Sequence, residues 1–181
     1  MTLSLHTSRL ILREWRDADC APFAAMSADP RVMKFLAPFS GPAAIDEWVA
    51  RARSHWVEHG FGKCVVEVSG EADFIGVVGL DHVSFDLPFS PAIEVLWRLA
   101  RPYWGCGYAA EAARAVIDDG FGRLGLSEIV AYTVVENQRS RRLMERLGMT
   151  RNSSEDFDFR HPRRPEGYPP RTHVLYRLRR A

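Results

Sequence analysis

Trp104-Gly105-Cys106-Gly107-Tyr108-Ala109 is the stretch on which the reading of this chain turns. A strand-like run, Ala92 to Leu99, precedes it, and a helix-like run, Ala110 to Phe121, follows it. A glycine-rich turn that opens a helix aims several backbone N–H groups at one point. The helix dipole adds partial positive charge there, which suits phosphate. The same pattern also serves as a plain strand-to-helix turn, so it does not decide alone. A second element, Asn137-Gln138-Arg139-Ser140, comes one strand later and also opens a helix.

Outward from these two elements the chain reads as alternating segments. Leu10 to Trp15 is a first strand, and Asp17 caps a short helix that Asp29-Pro30 breaks. Ser40-Gly41-Pro42 begins a longer helix that ends at Gly60, with Ile45, Trp48, Val49, Ala52 and Trp56 along one face. Gly62 to Val68 and Phe74 to Val83 are strands around a hairpin-like turn, Ser69 to Asp73. A helix from Ala109 to about Arg123 carries Ala112, Ala113, Val116 and Ile117 on one face. Glu128 to Val134 has the near-continuous apolar pattern of a buried central strand. Ser140 to Leu147 is a short helix closed by Gly148, and Thr172 to Leu178 is a last strand after a Pro/Arg loop, His161 to Pro170. The expected class is α/β (α+β), with a mixed sheet.

Composition bounds the function. The 181 residues suit a single domain spanning 1–181, and the 46% hydrophobic content supplies a core. Lys+Arg 24 against Asp+Glu 23 leaves a net charge of +1, which gives no support for nucleic-acid or membrane binding. The 3 cysteines, Cys20, Cys64 and Cys106, form neither a disulfide framework nor a zinc pattern, and a reducing cytoplasm is the simpler setting. No apolar run approaches the about 18 residues of a membrane helix. Met1 to His6 carries no signal-peptide pattern. His6, His55, His59 and His82 are read as lacking ligand spacing, so no metal is assigned.

Three blocks carry a resemblance. The first is Thr7-Ser8-Arg9-Leu10-Ile11-Leu12-Arg13 with Asp17-Ala18-Asp19. The second is Glu94-Val95-Leu96-Trp97-Arg98-Leu99 with Tyr103-Trp104-Gly105-Cys106-Gly107-Tyr108-Ala109-Ala110-Glu111-Ala112. The third is Asn137-Gln138-Arg139-Ser140 with Glu145-Arg146-Leu147-Gly148-Met149. In this order they resemble the GNAT acetyltransferase superfamily, nearest its branch of RimJ/RimL-like ribosomal-protein N-terminal acetyltransferases. The resemblance implies a mixed, mostly antiparallel twisted sheet of about six to seven strands flanked by about four helices. It implies acetyl-CoA as co-substrate and an amine acceptor, a protein N-terminus or a small molecule. A homodimer through a sheet edge is possible in such a fold.

It also implies roles. The pyrophosphate of coenzyme A would lie on the N–H groups of Trp104, Gly105, Cys106, Gly107, Tyr108 and Ala109. Trp104 and Cys106 stand where relatives often carry basic or glutamine residues, which leaves the backbone to bind phosphate. Cys106 is read as a small loop residue, with a low-pKa thiol as the alternative. Backbone groups of Trp97, Arg98 and Leu99 would pair with the pantetheine arm. Asn137 would hold the arm from the other side, or cap its helix. Many relatives use a tyrosine where this chain has Met144. Ser140, one turn earlier, is the alternative donor to the leaving thiolate, or else a helix N-terminal residue. Glu94 is the candidate base, or a surface carboxylate or partner of Arg98. Asp156, Asp158, His161 and His173 form a further polar group that could bind the acceptor or relay a proton. Trp48, Trp56, Phe85 and Phe89 either line an acceptor pocket or pack. The competing reading is a catalytically degenerate acyl-CoA-binding module.

Overall fold

A computed structural model describes residues 4–180. Met1 to Leu3 and Ala181, part of the expected domain span and of the start read for a leader, lie outside the described residues.

The elements run β1 (Ser4–His6), β2 (Leu10–Arg13), α1 (Cys20–Ala28), α2 (Pro30–Met33), α3 (Pro42–His59), β3 (Lys63–Val68), β4 (Ala72–His82), β5 (Ile93–Leu99), α4 (Tyr108–Gly122), β6 (Glu128–Val134), α5 (Gln138–Arg146), β7 (Thr150–Arg151), β8 (Phe157–Phe159) and β9 (Arg171–Arg179). The strands make one 9-stranded sheet in the order β1-β2-β3-β4-β5-β6-β9-β7, with β8 also on β9. Every pairing is antiparallel except β5 with β6. The class is the expected one. The strand count is higher because β1, β7 and β8 are short segments without alternation, set by their partners rather than by local pattern. The extra helix is α2, which the Asp29 side chain caps by accepting from the Arg31 N–H at 2.8 Å. At the first helix the cap is not Asp17. A 3-10 turn, Asp17–Asp19, comes first, and Asp17 is exposed against Arg53.

Two layers cover the sheet. Alternation sends Leu10, Leu12, Val66, Val78, Val95 and Leu99 to the α4 and α5 side, where Ala112, Val116, Leu143 and Met144 complete the main core. The other face packs Val65 and Val77 on Phe23, Val49 and Ala52 of α1 and α3. β4 is buried on both faces from Ile75 to Asp81, so it shows no polar alternation. α3 stops at Gly60, whose φ of 70° is left-handed and whose N–H returns to the Trp56 carbonyl.

One irregularity positions the site. β5 pairs with β4 from Ile93 to Leu99, whereas toward β6 it has one register pair, Glu94 with Val130. Beyond that pair the two parallel strands part. The β6-facing edge of β5, from Val95 onward, is open backbone.

Candidate active site

The opening between β5 and β6 is bordered by three groups of residues: the loop 104–109, the start of α5, and the side chains of β5.

At the loop, Gly105 and Gly107 have φ of 83° and 84°, which favour glycine. A Cβ at Gly105 would meet nothing within 4 Å. Trp104 N–H returns to the Arg101 carbonyl, and the Ala110 and Glu111 N–H groups both go to the Gly107 carbonyl. The N–H groups of 105 to 109 between them have no acceptor among the described residues. Orphan donors at the start of a 15-residue helix are an anion-binding arrangement. Basic charge is present after all, supplied from elsewhere in the chain. Arg9 donates to the Cys106 carbonyl at 3.1 Å, lies over the Tyr108 ring at 4.6 Å, and pairs with Glu111 at 2.6 Å. Arg139 lies over the Trp104 ring at 4.3 Å. Neither arginine belongs to the loop's own sequence, so a reading of the loop alone does not include them. Cys106 is exposed and free, with its thiol 3.8 Å from the Trp104 carbonyl, and no histidine contacts it among the described residues.

At the start of α5, Asn137 and Ser140 act as a unit. Asn137 caps the helix, its Oδ1 taking the Ser140 N–H at a long 3.4 Å. Its Nδ2 donates to Thr133 Oγ1 at 2.9 Å and to Ser140 Oγ at 3.0 Å. Both amide protons are thereby used inside the protein, leaving Oδ1 as the atom with spare capacity. Trp97 reaches across the opening from β5 and donates its Nε1–H to Ser140 Oγ at 3.3 Å. Ser140 Oγ thus accepts twice. Its own proton has no acceptor among the described residues and is free for a group in the opening. Met144, where a tyrosine was absent, is a core residue at 2% exposure.

Glu94 sits on the opposite sheet face. Its carboxylate accepts the Tyr132 hydroxyl, and Asp81 is its cross-strand neighbour. Burial first, then the Asp81 charge, push its pKa up to about 8, against Lys63 and the tyrosine hydrogen bond. It is half-buried, and among the described residues it forms no ion pair with Arg98, whose hydrogen bond goes to Ser27. Its neighbour Tyr132 also has its pKa raised, chiefly by burial.

The tail residues disperse. Asp156 pairs with Arg151, and Asp158 accepts from Thr172 at 2.7 Å. His161 and His173 stay near the Glu94 side through Phe159 and Tyr132. Burial holds His161 down at about 4 and lowers His173, so both are neutral imidazoles near pH 7. Trp56 is core, while Trp48 borders the α1–α3 side of β5, and Phe85 and Phe89 pack beside Tyr132.

The histidines need a correction too. His55 and His59 are four residues apart on α3, and His82 meets them from the end of β4, with all ligand atoms within 4.8 Å. His55 is held by the Phe61 carbonyl at 2.8 Å and Asp81 at 2.9 Å, and its Nε2 is 2.9 Å from His82 Nδ1. The helical spacing was in the sequence, but the third imidazole came from a distant strand. Among the described residues no helix is long and apolar enough to cross a membrane.

Residues 9–150 match the acetyltransferase (GNAT) domain family. A fungal relative from Aspergillus fumigatus, FsC-acetyl coenzyme A-N(2)-transacetylase, is 33% identical over 81% of this chain and 65% of its own length. Among solved structures, an acetyltransferase from Agrobacterium tumefaciens superposes with a TM-score of 0.78 at 28% identity, covering 98% of this chain and 95% of the other. RimL, a ribosomal alpha-N-protein acetyltransferase, gives 0.78 over 99% and 95% at 13% identity, which is a likeness of fold.

Proposed function

This chain belongs to the GNAT acetyltransferase family, and from that premise we propose that it transfers an acetyl group from acetyl-CoA to a primary amine by direct attack in a ternary complex. Acetyl-CoA would supply the activated thioester; the rest is the chain's own work. The residues fit such a co-substrate: orphan N–H groups at 105–109 for the diphosphate, an open β5 edge at Trp97, Arg98 and Leu99 for the amide arm, and Asn137 Oδ1 opposite. Tyr108 and Trp104, whose rings carry Arg9 and Arg139, bring positive charge beside the loop. We assign Glu94 to take the proton of the attacking amine, directly or through water. We assign Ser140 to donate to the departing sulfur. The whole chain acts as one domain in this reading.

The observation that carries the proposal is Ser140 Oγ. With Trp97 and Asn137 both donating to it, the hydroxyl's one proton must point away from them, and no acceptor among the described residues claims it. A degenerate binding module would have no need of a serine held this way. Ser140→Ala tests it. Coenzyme A release per folded molecule should fall on the order of 10²-fold, with the Michaelis constant for acetyl-CoA nearly unchanged. Loss of the Oγ that accepts from Trp97 and Asn137 should cost about 1 kcal/mol in the melting curve, while the Asn137 cap on the backbone N–H stays. Unchanged turnover removes Ser140 from the mechanism.

A further inference from the structure

The side chain of Arg98 leaves β5 on the face opposite Trp97, toward α1 and α3. Its guanidinium lies over three rings, 5.6 Å from Phe23, 5.7 Å from Phe39 and 5.5 Å from Trp48. Its hydrogen-bond partner is Ser27 Oγ, at a long 3.5 Å, and no carboxylate pairs with it among the described residues. A second guanidinium approaches from the loop 160–170. Arg163 lies 4.6 Å from the same Phe39 ring, and its Nη1 is buried without a hydrogen-bond partner. That loop is tied down beside the ring cluster. Arg164 donates to the Leu36 carbonyl at 2.7 Å, and the Arg163 N–H goes to His161 Nδ1 at 3.1 Å.

Two cations on one aromatic cluster, with no carboxylate paired to either among the described residues, are a poor way to build a core. Apolar residues of the same size would pack there without the desolvation penalty. The penalty is visible in the groups themselves. Burial, and then Arg163, draw the pKa of Arg98 down to about 10, and burial also lowers Arg163. At neutral pH both remain charged. Ring faces hold a guanidinium through its π-face and leave the N–H edge free. That edge is a flat fork of donors matched to a carboxylate. Arg98 also shares its strand and its face with Glu94, while the backbone of the same residue belongs to the open edge of β5.

We propose that the acceptor is a small amine that also bears a carboxylate, and that Arg98 and Arg163 grip that carboxylate while the amine is presented beside Glu94. This rests on the acetyl-transfer reading of the site. It selects between the acceptor types the fold permits, because the loop held against Leu36 and Phe39 and the unpaired charge both favour a compact anionic amine over a neutral protein N-terminus. The paired arginines would bind the acid group only in its ionised form, and an amide or ester in its place would leave the forks unfilled.

The test is coenzyme A release with α- and ω-amino acids, each beside its own carboxamide, and with a neutral tripeptide. Wild type should prefer at least one acid over its amide by about 10-fold or more in kcat/KM. Arg163→Gln and Arg98→Gln should erase that preference through KM, and Arg98→Lys should restore only part of it, since an ammonium has charge without the fork. Acetyl-CoA affinity, read by calorimetry on Arg163→Gln, should hold, because Arg163 bonds neither the backbone of 97–99 nor the loop 104–109. Should Arg98→Gln fail to fold, Arg163→Gln decides. Equal use of acid and amide, preference for the tripeptide, no acid acetylated by a protein that binds acetyl-CoA, or an unaltered preference in folded variants each overturns the proposal. If wild type binds no acetyl-CoA, the transfer reading is what fails. The carboxylate site is then judged by thermal shift: stabilisation by acids over amides that Arg163→Gln abolishes upholds it, and none overturns it.

Discussion

Arg13 and Arg98 are two arginines on the same face of one sheet, and they are treated in opposite ways. Arg13, at 5% exposure, is enclosed by carboxylates: it donates to both oxygens of Asp19 at 2.7 and 2.9 Å and to Glu67, and its pKa is raised, first by Asp19. Arg98 is enclosed by rings, with its pKa lowered by burial. One charge is closed on partners inside the chain, and the other is left open. A closed charge ties elements together; here Arg13 joins β2 to the turn before α1 and, through the Asp73 carbonyl, to β4. An open charge stores binding capacity for something the chain does not contain. The same division runs through the molecule. Asp81 is closed by Lys63 and His55, while Glu94, its cross-strand neighbour, accepts a tyrosine hydroxyl and has no ion pair among the described residues.

Breaking the closed charge should give the largest effect. Asp19→Ala leaves Arg13 with Glu67 as its remaining carboxylate and also removes the acceptor for the Arg16 N–H at 2.6 Å. Denaturant unfolding should show a loss of roughly 3–5 kcal/mol, the usual result of stripping one partner from a buried pair. Arg98→Met, in contrast, should leave stability within about 1 kcal/mol of wild type, since lost ring contacts and relieved desolvation offset each other. If Arg98→Met unfolds the protein as severely as Asp19→Ala does, the two arginines are alike and the comparison collapses.

How much of this was legible beforehand follows the same physics. Glu128 to Val134 was read end to end, because a strand buried on both faces writes its limits as an apolar run. The Gly105–Gly107 turn and the Asn137–Ser140 start of α5 were readable because each is a local motif with a backbone reason. Arg9 was not readable as a loop residue, since Glu111, 102 positions away, brings it there. Arg163 stood in a Pro/Arg loop without periodicity, and only the packing of that loop on Leu36 and Phe39 gives it a role. Short strands such as Phe157–Phe159 exist because β9 offers an edge, which no local pattern records. Local chemistry was visible, and the closure or openness of a charge, being a tertiary property, was not.

The open carboxylate makes a prediction of intermediate size. The pKa of Glu94 is raised from 4.5 to about 8, so between those values the folded protein holds a proton that the unfolded chain has released. Stability from this group is therefore full below the unfolded value and declines as pH rises through the window. Activity runs the other way, because only the ionised carboxylate accepts the amine proton. Turnover should climb about tenfold per pH unit below the pKa and level off near it. Glu94→Gln should flatten the stability slope and remove that limb of the rate profile together. A variant that keeps the limb, with turnover comparable to wild type, puts the base elsewhere.

The smallest effect should come from Arg9, which is neither fully closed nor fully open. Its guanidinium is shared between Glu111, the Cys106 carbonyl and the Tyr108 ring, and its side chain is 45% exposed. Half-exposed charge is screened by salt, so its contribution to a bound diphosphate is modest and depends on ionic strength. Arg9→Ala should weaken acetyl-CoA binding by less than about 10-fold at low salt, and the difference from wild type should shrink as salt is raised. The substitution leaves the backbone N–H groups at 105–109 in the chain, and they set the floor of affinity. Titrations at two ionic strengths separate the contributions. A salt-independent loss would mean that Arg9 shapes the loop through Glu111 and Cys106 rather than lending it charge. A loss far beyond tenfold would mean that the loop donors bind little on their own, and that the cofactor end of the site, like the acceptor end, depends on an open arginine.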